Sequence, residues 1–220
     1  MHPVTILKVE PVTHDVRRFT VAKPEGFRFE PGQATLVSIN RPEWQKEKRP
    51  FTFTSLNEWP ELEFTIKIYS DHGGVTNALG GLEPGDELVI RKPWGTIQYQ
   101  GPGTFIAGGA GVTPFIAILR QLTKDGKLAG NTLLFSNKTS RDIILRDEFE
   151  AMAGLACVFT VTDAPEPGLE NRLIDRAFLE DKVADFSQHF YVCGPPQMVE
   201  DLKGHLTALG GRADAIVFEQ

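Results

Sequence analysis

The stretch Gly108-Gly109-Ala110-Gly111-Val112-Thr113-Pro114 holds the residue types and spacing best suited to chemistry in this chain. It follows an apolar run, Thr104 to Ala107, and leads into Val112, Phe115, Ile116 and Leu119, which recur at helical spacing. Strand, glycine turn and helix in this order let a ligand approach bare backbone. The helix start offers unpaired N–H groups and a positive dipole end to a phosphate. Pro114 loses no hydrogen bond there, because N–H groups of the first turn have no intrahelical partner. The natural guest is a nucleotide, although the spacing G-x-G-x-x-P departs from the G-x-G-x-x-G dinucleotide fingerprint and tight packing alone accounts for such a turn.

Three further stretches carry related chemistry. Arg49-Pro50-Phe51-Thr52-Phe53-Thr54-Ser55 alternates as a strand does, which puts Arg49, Phe51, Phe53 and Ser55 on one face and Pro50, Thr52 and Thr54 on the other. A guanidinium two residues from an aromatic ring suits a phosphate and a stacked heterocycle, and a neighbouring hydroxyl suits a ring nitrogen. A plain barrel strand with an arginine at its end has the same pattern. Gly73-Gly74-Val75-Thr76 is a second glycine turn at a helix start, or a simple connection. Cys193-Gly194-Pro195-Pro196 follows the apolar run Phe190 to Val192 and places a thiol at a strand end, where a buried structural cysteine is the usual finding.

These stretches must be held by two different kinds of scaffold. From Val4 to Tyr99 short strands alternate with turns: Val4–Val9, Val16–Val21, Ala34–Ile39, Phe51–Ser55, Leu62–Tyr69, Glu87–Arg91 and Thr96–Tyr99, with one short helix over Val75–Leu82. Such spacing predicts an antiparallel barrel or sandwich. Gly101-Pro102-Gly103 ends the pattern and is the expected domain boundary. Beyond it, strands at Phe105–Ala107, Thr132–Phe135, Cys157–Val161, His189–Cys193 and Ala215–Phe218 alternate with helices at Thr113–Leu122, Arg146–Ala153, Leu173–Phe178 and Pro196–Leu209. Alternation of this kind predicts a parallel sheet covered on both faces, with ligands beyond the carboxyl ends of its strands. Gly108 to Pro114, Ser136 to Arg141 and Cys193 to Pro196 then share one edge.

Composition excludes several functions. The net charge of -6 disfavours nucleic acid, and it is uneven: residues 1–101 carry 12 basic and 13 acidic side chains, against 11 and 16 afterwards. Two cysteines rule out a four-cysteine cluster or zinc site within the chain, and five scattered histidines without metal-ligand spacing argue against a bound metal. No apolar run reaches membrane-span length and no signal-peptide layout is present, so the expected location is cytoplasmic.

The motifs R-P-F-T, G-G-V-T, G-G-A-G-V-T-P and C-G-P-P, in this order, resemble the ferredoxin-NADP reductase family of flavoproteins along essentially the whole chain. The resemblance implies an antiparallel six-stranded Greek-key barrel binding FAD over residues 1–101. A five-stranded parallel doubly wound domain binding NADH or NADPH would cover residues 102–220. It implies a hydride passed from nicotinamide to flavin N5, then single electrons to a separate acceptor such as a ferredoxin or flavodoxin, or to a small molecule. Arg49 would pair with the flavin cofactor's phosphate, Pro50 and Phe51 would lie against the flavin, and Thr52 would hydrogen-bond near N5. Phe51 stands where the family has tyrosine, so that hydroxyl is missing. Ile66, Lys67 and Ile68 would meet the ring and ribityl chain, and Gly74, Val75 and Thr76 the pyrophosphate. Gly109, Ala110, Gly111, Val112, Thr113 and Pro114 would cradle the pyridine nucleotide, with Ser136 and Asn137 at the next strand end. Cys193, Gly194 and Pro195 would lie beside the nicotinamide, and Glu219 would be the carboxylate near the flavin, with no aromatic residue after it.

Ser136, Lys138 and Arg141 would suit a 2′-phosphate, whereas Asp163 would repel one and tilts the reading towards NADH. The cluster Arg41, Lys46, Lys48 and Arg49 would attract an acidic carrier, or simply be solvated. Two other readings remain: a reductase that treats flavin as a substrate, and a non-catalytic electron-transfer or docking subunit.

Overall fold

The computed structural model describes residues 1–71, 73–95, 97–212 and 216–218. The first half forms one antiparallel sheet from β1 (His2–Pro11), β2 (Val16–Ala22), β3 (Ala34–Ile39), β4 (Arg49–Thr52), β5 (Glu61–Lys67) and β6 (Glu87–Ile90), in the order β4-β3-β6-β1-β2-β5. A bridge between Phe53 and Phe64 links the two outer strands, so the sheet curls into a nearly closed barrel. Alternation sends Val4 and Ile6, Phe19 and Val21, and Leu62 and Phe64 inward. Phe53 stacks on Phe29 with ring centroids 4.3 Å apart. Each such buried ring is worth about 1.5–3 kcal/mol. The short helix α1 (Val75–Leu79) closes the core with Val75 and Leu79. On the other face of β5, Glu63 and Thr65 are buried too, because the second half of the chain packs there and Arg120 reaches Glu63.

The second half is a parallel sheet of β7 (Gly103–Gly108), β8 (Asn131–Asn137), β9 (Leu155–Val161), β10 (His189–Cys193) and β11 (Ile216–Phe218), in the order β11-β10-β7-β8-β9. Helices α2 (Thr113–Lys124), α3 (Arg146–Glu150), α4 (Arg176–Lys182) and α5 (Pro196–Ala208) connect the strands. Phe105, Leu133 and Phe135 pack with Phe115 and Leu119 of α2 on one face. Ile106, Leu134 and Phe190 pack with Phe178 of α4 and Leu202 of α5 on the other. All six residues of the central β7 are consequently buried. Strand order reverses at β7, which opens a crevice beyond the carboxyl ends of β7 and β10. The chain between the two sheets is pinned by Tyr191, whose hydroxyl accepts from the N–H groups of Gln100 and Gly101 and donates to the Gly101 carbonyl. Among the described residues no helix is long and apolar enough to cross a membrane.

Local differences from the sequence expectation have local causes. The strand expected over Phe51–Ser55 is Arg49–Thr52, because pairing with β3 ends at the Ala34 and Thr52 register. The chain then crosses to β5, and the expected two-face alternation is lost: Thr54 donates its hydroxyl to Glu63 at 2.8 Å and Ser55 accepts the Glu63 N–H at 3.1 Å, both buried. The helix expected over Leu173–Phe178 begins at Arg176, because Asp175 is its cap and accepts the Phe178 N–H at 2.8 Å. Leu173 stays outside it, 66% exposed. Residues 97–99 form no strand, α3 stops at Glu150, and residues 96 and 215 of two expected strands lie outside the described residues.

Candidate functional site

The barrel and the parallel sheet face each other across a cleft of about 590 Å³. Pro50, Phe51 and Thr52 of β4, with Thr65, Ile66 and Lys67 of β5, form one wall. Ala110, Thr113, Gly194 and Pro196 form the other, and Thr76 of α1 sits at the margin. The β4 part of one wall and the loops of the other come from stretches that sequence spacing singled out, whereas Ile66 and Lys67 were expected from the family resemblance alone and Thr65 was not expected.

The second wall is built from two loops in backbone contact. A Cβ on Gly111 would lie 2.4 Å from the Cys193 carbonyl oxygen, and one on Gly108 would lie 2.5 Å from the Met198 sulfur. Only glycine lets the turn after β7 close on the loop after β10. Gly109 is the opposite case: its φ of +51° is left-handed, and no atom lies within 4 Å of where a Cβ would stand. The turn is a single 3-10 turn, Gly109–Val112, in which Thr113 donates its hydroxyl to the Ala110 carbonyl at 3.0 Å. Val112 and Pro114 are buried beneath it. The result is an open patch of backbone backed by apolar side chains, which suits a phosphate group.

Other expected residues stand further back. Cys193 is 3% exposed and packs in the core with Val112, while its neighbour Gly194 reaches the cleft and Pro195 is exposed at the start of α5. Asn137, at the end of β8 beside the half-buried Ser136, is 5% exposed, and neither atom of its amide has a hydrogen-bond partner. An amide buried in this way is completed by water or by a ligand. Gly74 caps α1 with no side-chain hydrogen bond, Val75 turns into the barrel core, and Ile68 packs on that core from outside. Arg49 does not line the cleft: its guanidinium donates to the Lys48 carbonyl at 2.9 Å and lies 3.7 Å from Glu47. Glu219 lies outside the described residues.

Tyr69, Trp94, Val199 and Glu200 also line the cleft and went unassigned by sequence reasoning. The two aromatic residues are 48% and 43% exposed. The available signal was an aromatic residue inside the polar turn Pro93-Trp94-Gly95 and another just before Gly73-Gly74, with no core periodicity to account for either. Val199 and Glu200 follow Pro196 at helical spacing and share its face of α5.

The cleft residue Lys67 has a carboxylate partner. Lys67 lies 2.9 Å from Asp15, and His14 lies 3.7 Å from Asp142 in the loop after β8. Burial works against the Asp15 charge, but hydrogen bonds from Lys67 and Thr13 outweigh it and hold the carboxyl below its ordinary pKa.

Comparison with known proteins agrees with both halves. Residues 3–99 match the oxidoreductase FAD-binding domain and residues 105–204 the oxidoreductase NAD-binding domain. The chain is 28% identical to NADH-cytochrome b5 reductase 2 of Mycosarcoma maydis, over 96% of this chain and 70% of that protein. It is 28% identical to the reductase component of propane 2-monooxygenase of Mycolicibacterium goodii, over 97% of this chain and 66% of that protein. It thus spans about two thirds of the length of these curated relatives. The crystal structure of a ferredoxin NADP+ reductase from Neisseria gonorrhoeae with bound FAD and NADP superposes with a TM-score of 0.86 at 22% identity, covering 99% of this chain and 97% of that one. With its two halves matched by these two domain families in this order, the chain belongs to the ferredoxin-NADP reductase family of FAD- and NAD-binding oxidoreductases.

Proposed function

We propose that this chain is an NADH-preferring flavoprotein reductase, with a flavin-binding unit over residues 1–101 and a nicotinamide-binding unit over 102–220, that serves a separate redox protein. The observation that carries the reading is the single cleft in which the glycine turn after β7 and the loop after β10 face β4 and β5 of the barrel. FAD held between these walls would supply the chemistry of a two-electron hydride acceptor from reduced nicotinamide and a one-electron donor to an acceptor.

The residues present fit such a group. Thr52 offers a hydroxyl and Phe51 an apolar ring on one wall, beside the main chain of Ile66 and Lys67. Tyr69 and Trp94 supply exposed aromatic faces for stacking. Gly74 to Thr76 would present main-chain N–H groups to the flavin pyrophosphate, and Gly109 to Val112 would present theirs to the nicotinamide dinucleotide, with Pro114, which has no N–H, fixing the start of α2 behind them. Gly194 and Pro195, with Cys193 behind them, shape the pocket for the nicotinamide ring. None of these groups needs to act as a strong acid or base; their task is to stack two rings and exclude water. Asp163 favours NADH: it is exposed at the end of β9, held by the Thr162 hydroxyl at 2.7 Å, with its N–H on the Lys138 carbonyl at 2.9 Å. A carboxylate there repels a 2′-phosphate.

The sequence and the relatives support a redox protein as the acceptor. A ferredoxin or flavodoxin fits the family resemblance, and the relatives' names extend the class to cytochrome b5 and an oxygenase. One observation favours a second reading, in which flavin is an exchanging substrate: Arg49, the expected phosphate anchor, is engaged outside the cleft.

The test is the absorbance spectrum of freshly purified protein, followed anaerobically by NADH and, separately, NADPH. A bound-flavin spectrum bleached faster by NADH supports the reductase. Colourless protein that turns over added free flavin selects the second reading, and flavin-loaded protein reduced by neither nucleotide overturns both.

A further inference from the structure

Behind the cleft, the buried fastening of α2 to the barrel is the side chain of Arg120. Arg120 donates through Nη1 to the Thr54 carbonyl at 2.6 Å and to Glu63 Oε1 at 2.7 Å, both in the barrel. Its Nε and Nη2 donate to the two carboxylate oxygens of Glu148 in α3 at 2.5 and 2.9 Å. The guanidinium lies 5.3 Å from the ring centroid of Trp59, and the Arg120 and Glu63 side chains are each 10% exposed. Burial opposes the arginine's charge, but its hydrogen bonds to Glu148 and the charge of Glu63 hold its pKa above the ordinary value. Lys124, one turn on, pairs with Glu58 of the barrel.

The placement of this contact matters more than its strength. Thr113, at the start of α2, lines the cleft seven residues before Arg120, and Thr65 lines it two residues after Glu63. At about 1.5 Å per helical residue and about 3.3 Å per strand residue, the fastening lies about 10 Å behind the cleft along α2 and about 7 Å behind it along β5. Thr54 follows the cleft residue Thr52 by two positions on the third element. We infer that Arg120 is a positioning residue for hydride transfer: by tying α2 to Thr54 and Glu63 it sets the separation between the nicotinamide-binding turn and the flavin-binding strands. The inference rests on the reductase reading above. Since misplacing reactants by about 1 Å can cost about 100-fold in rate, loosening this tie is expressed in the transfer step rather than in the binding of either nucleotide.

Stopped-flow reduction of the flavin-loaded protein by NADH tests it. Arg120→Met should lower the limiting rate of flavin reduction at least tenfold, with the half-saturating NADH concentration within twofold of the parent and FAD retained. Arg120→Lys should recover part of the loss. Glu63→Gln, across the interface, should slow transfer, whereas Glu148→Gln, within the α2 and α3 pair, should stay within twofold. A second measurement needs no turnover: in a Cys157→Ser background, spin labels at the exposed positions Glu25→Cys and Lys127→Cys should report one narrow distance that broadens with Arg120→Met. A limiting rate within twofold of the parent in Arg120→Met, equal slowing by the two glutamine variants, or an unbroadened distance overturns the inference. If Arg120→Met does not fold, Arg120→Lys and Glu63→Gln carry the comparison. A parent protein that NADH does not reduce is a failure of the reductase reading, and the label distance then decides the role of Arg120 by itself.

Discussion

Gly111→Ala isolates the contact on which the second wall of the cleft depends. The added methyl carbon would lie 2.4 Å from the Cys193 carbonyl oxygen, 2.6 Å from its carbon and 2.7 Å from the Gly194 Cα. All three are backbone atoms, so no side chain can swing aside. Non-bonded atoms settle at about 3.5 Å, so the two loops must part by about 1 Å. Overpacking of this kind costs about 1–3 kcal/mol. At roughly 2–4 °C per kcal/mol for a chain of this size, a cost of about 2 kcal/mol lowers the melting midpoint by about 4–8 °C. The same 1 Å separates Gly194 from the turn that is to hold the nucleotide, so flavin reduction by NADH should slow by about 100-fold. Gly109→Ala is the control, because its methyl meets nothing and only the left-handed backbone is strained, by about 1 kcal/mol. It should melt close to the parent yet bind the nucleotide more weakly, because the methyl occupies the open ground. Thermal melts of both variants, with stopped-flow reduction, decide the matter. Gly111→Ala with the parent's midpoint and rate would refute the interlocked loops.

Three further outcomes are expected. Asp163→Ser should raise kcat/KM for NADPH relative to NADH by at least about tenfold, since one charge pair at 4 Å in water is worth about 1 kcal/mol and a phosphate carries close to two charges; steady-state kinetics with both nucleotides checks this. Asp15, whose pKa lies below its ordinary value, contributes stability that is full above the unfolded value of 3.8 and is lost as pH falls through the folded one. Asp15→Asn should therefore melt below the parent at pH 7 and converge with it as pH drops below 3.8; an unchanged gap at low pH would contradict the Lys67 pairing. Burial first, and then the charge of Glu150, push the Cys157 thiol up to about 11, so iodoacetamide should barely label it at pH 8 and should label faster as pH approaches 11.

The strand, glycine turn and helix of residues 104–119 were legible because every signal there is local: an apolar run, glycines where backbone must approach backbone, and a proline where no N–H is needed. The switch of rhythm near Gly101 was legible for the same reason. Apolar periodicity misled at Leu173, where an exposed leucine imitated a helix start and the true signal was the cap at Asp175. The strand through Phe51 broke its alternation because a bridge to Phe64 and bonds to Glu63, eight or more residues away, took over from β3. Tyr69 and Trp94 were invisible as cleft residues because they come to line one cleft only when the barrel curls and the parallel sheet supplies its other wall. Arg120 was not singled out, because its partners come from three other segments, at Thr54, Glu63 and Glu148.

The strand order has a consequence for synthesis on the ribosome. β1 finds β2 at once, but its other neighbour, β6, exists only after residues 87–90 have emerged. β7 waits longer: with β8 and β9 made, its other edge stays bare until residues 189–193 arrive. That edge belongs to a strand with all six residues buried in the finished protein, a ready template for pairing with another nascent chain. Fragments released between β9 and β10 are therefore the species of this protein most in need of a chaperone.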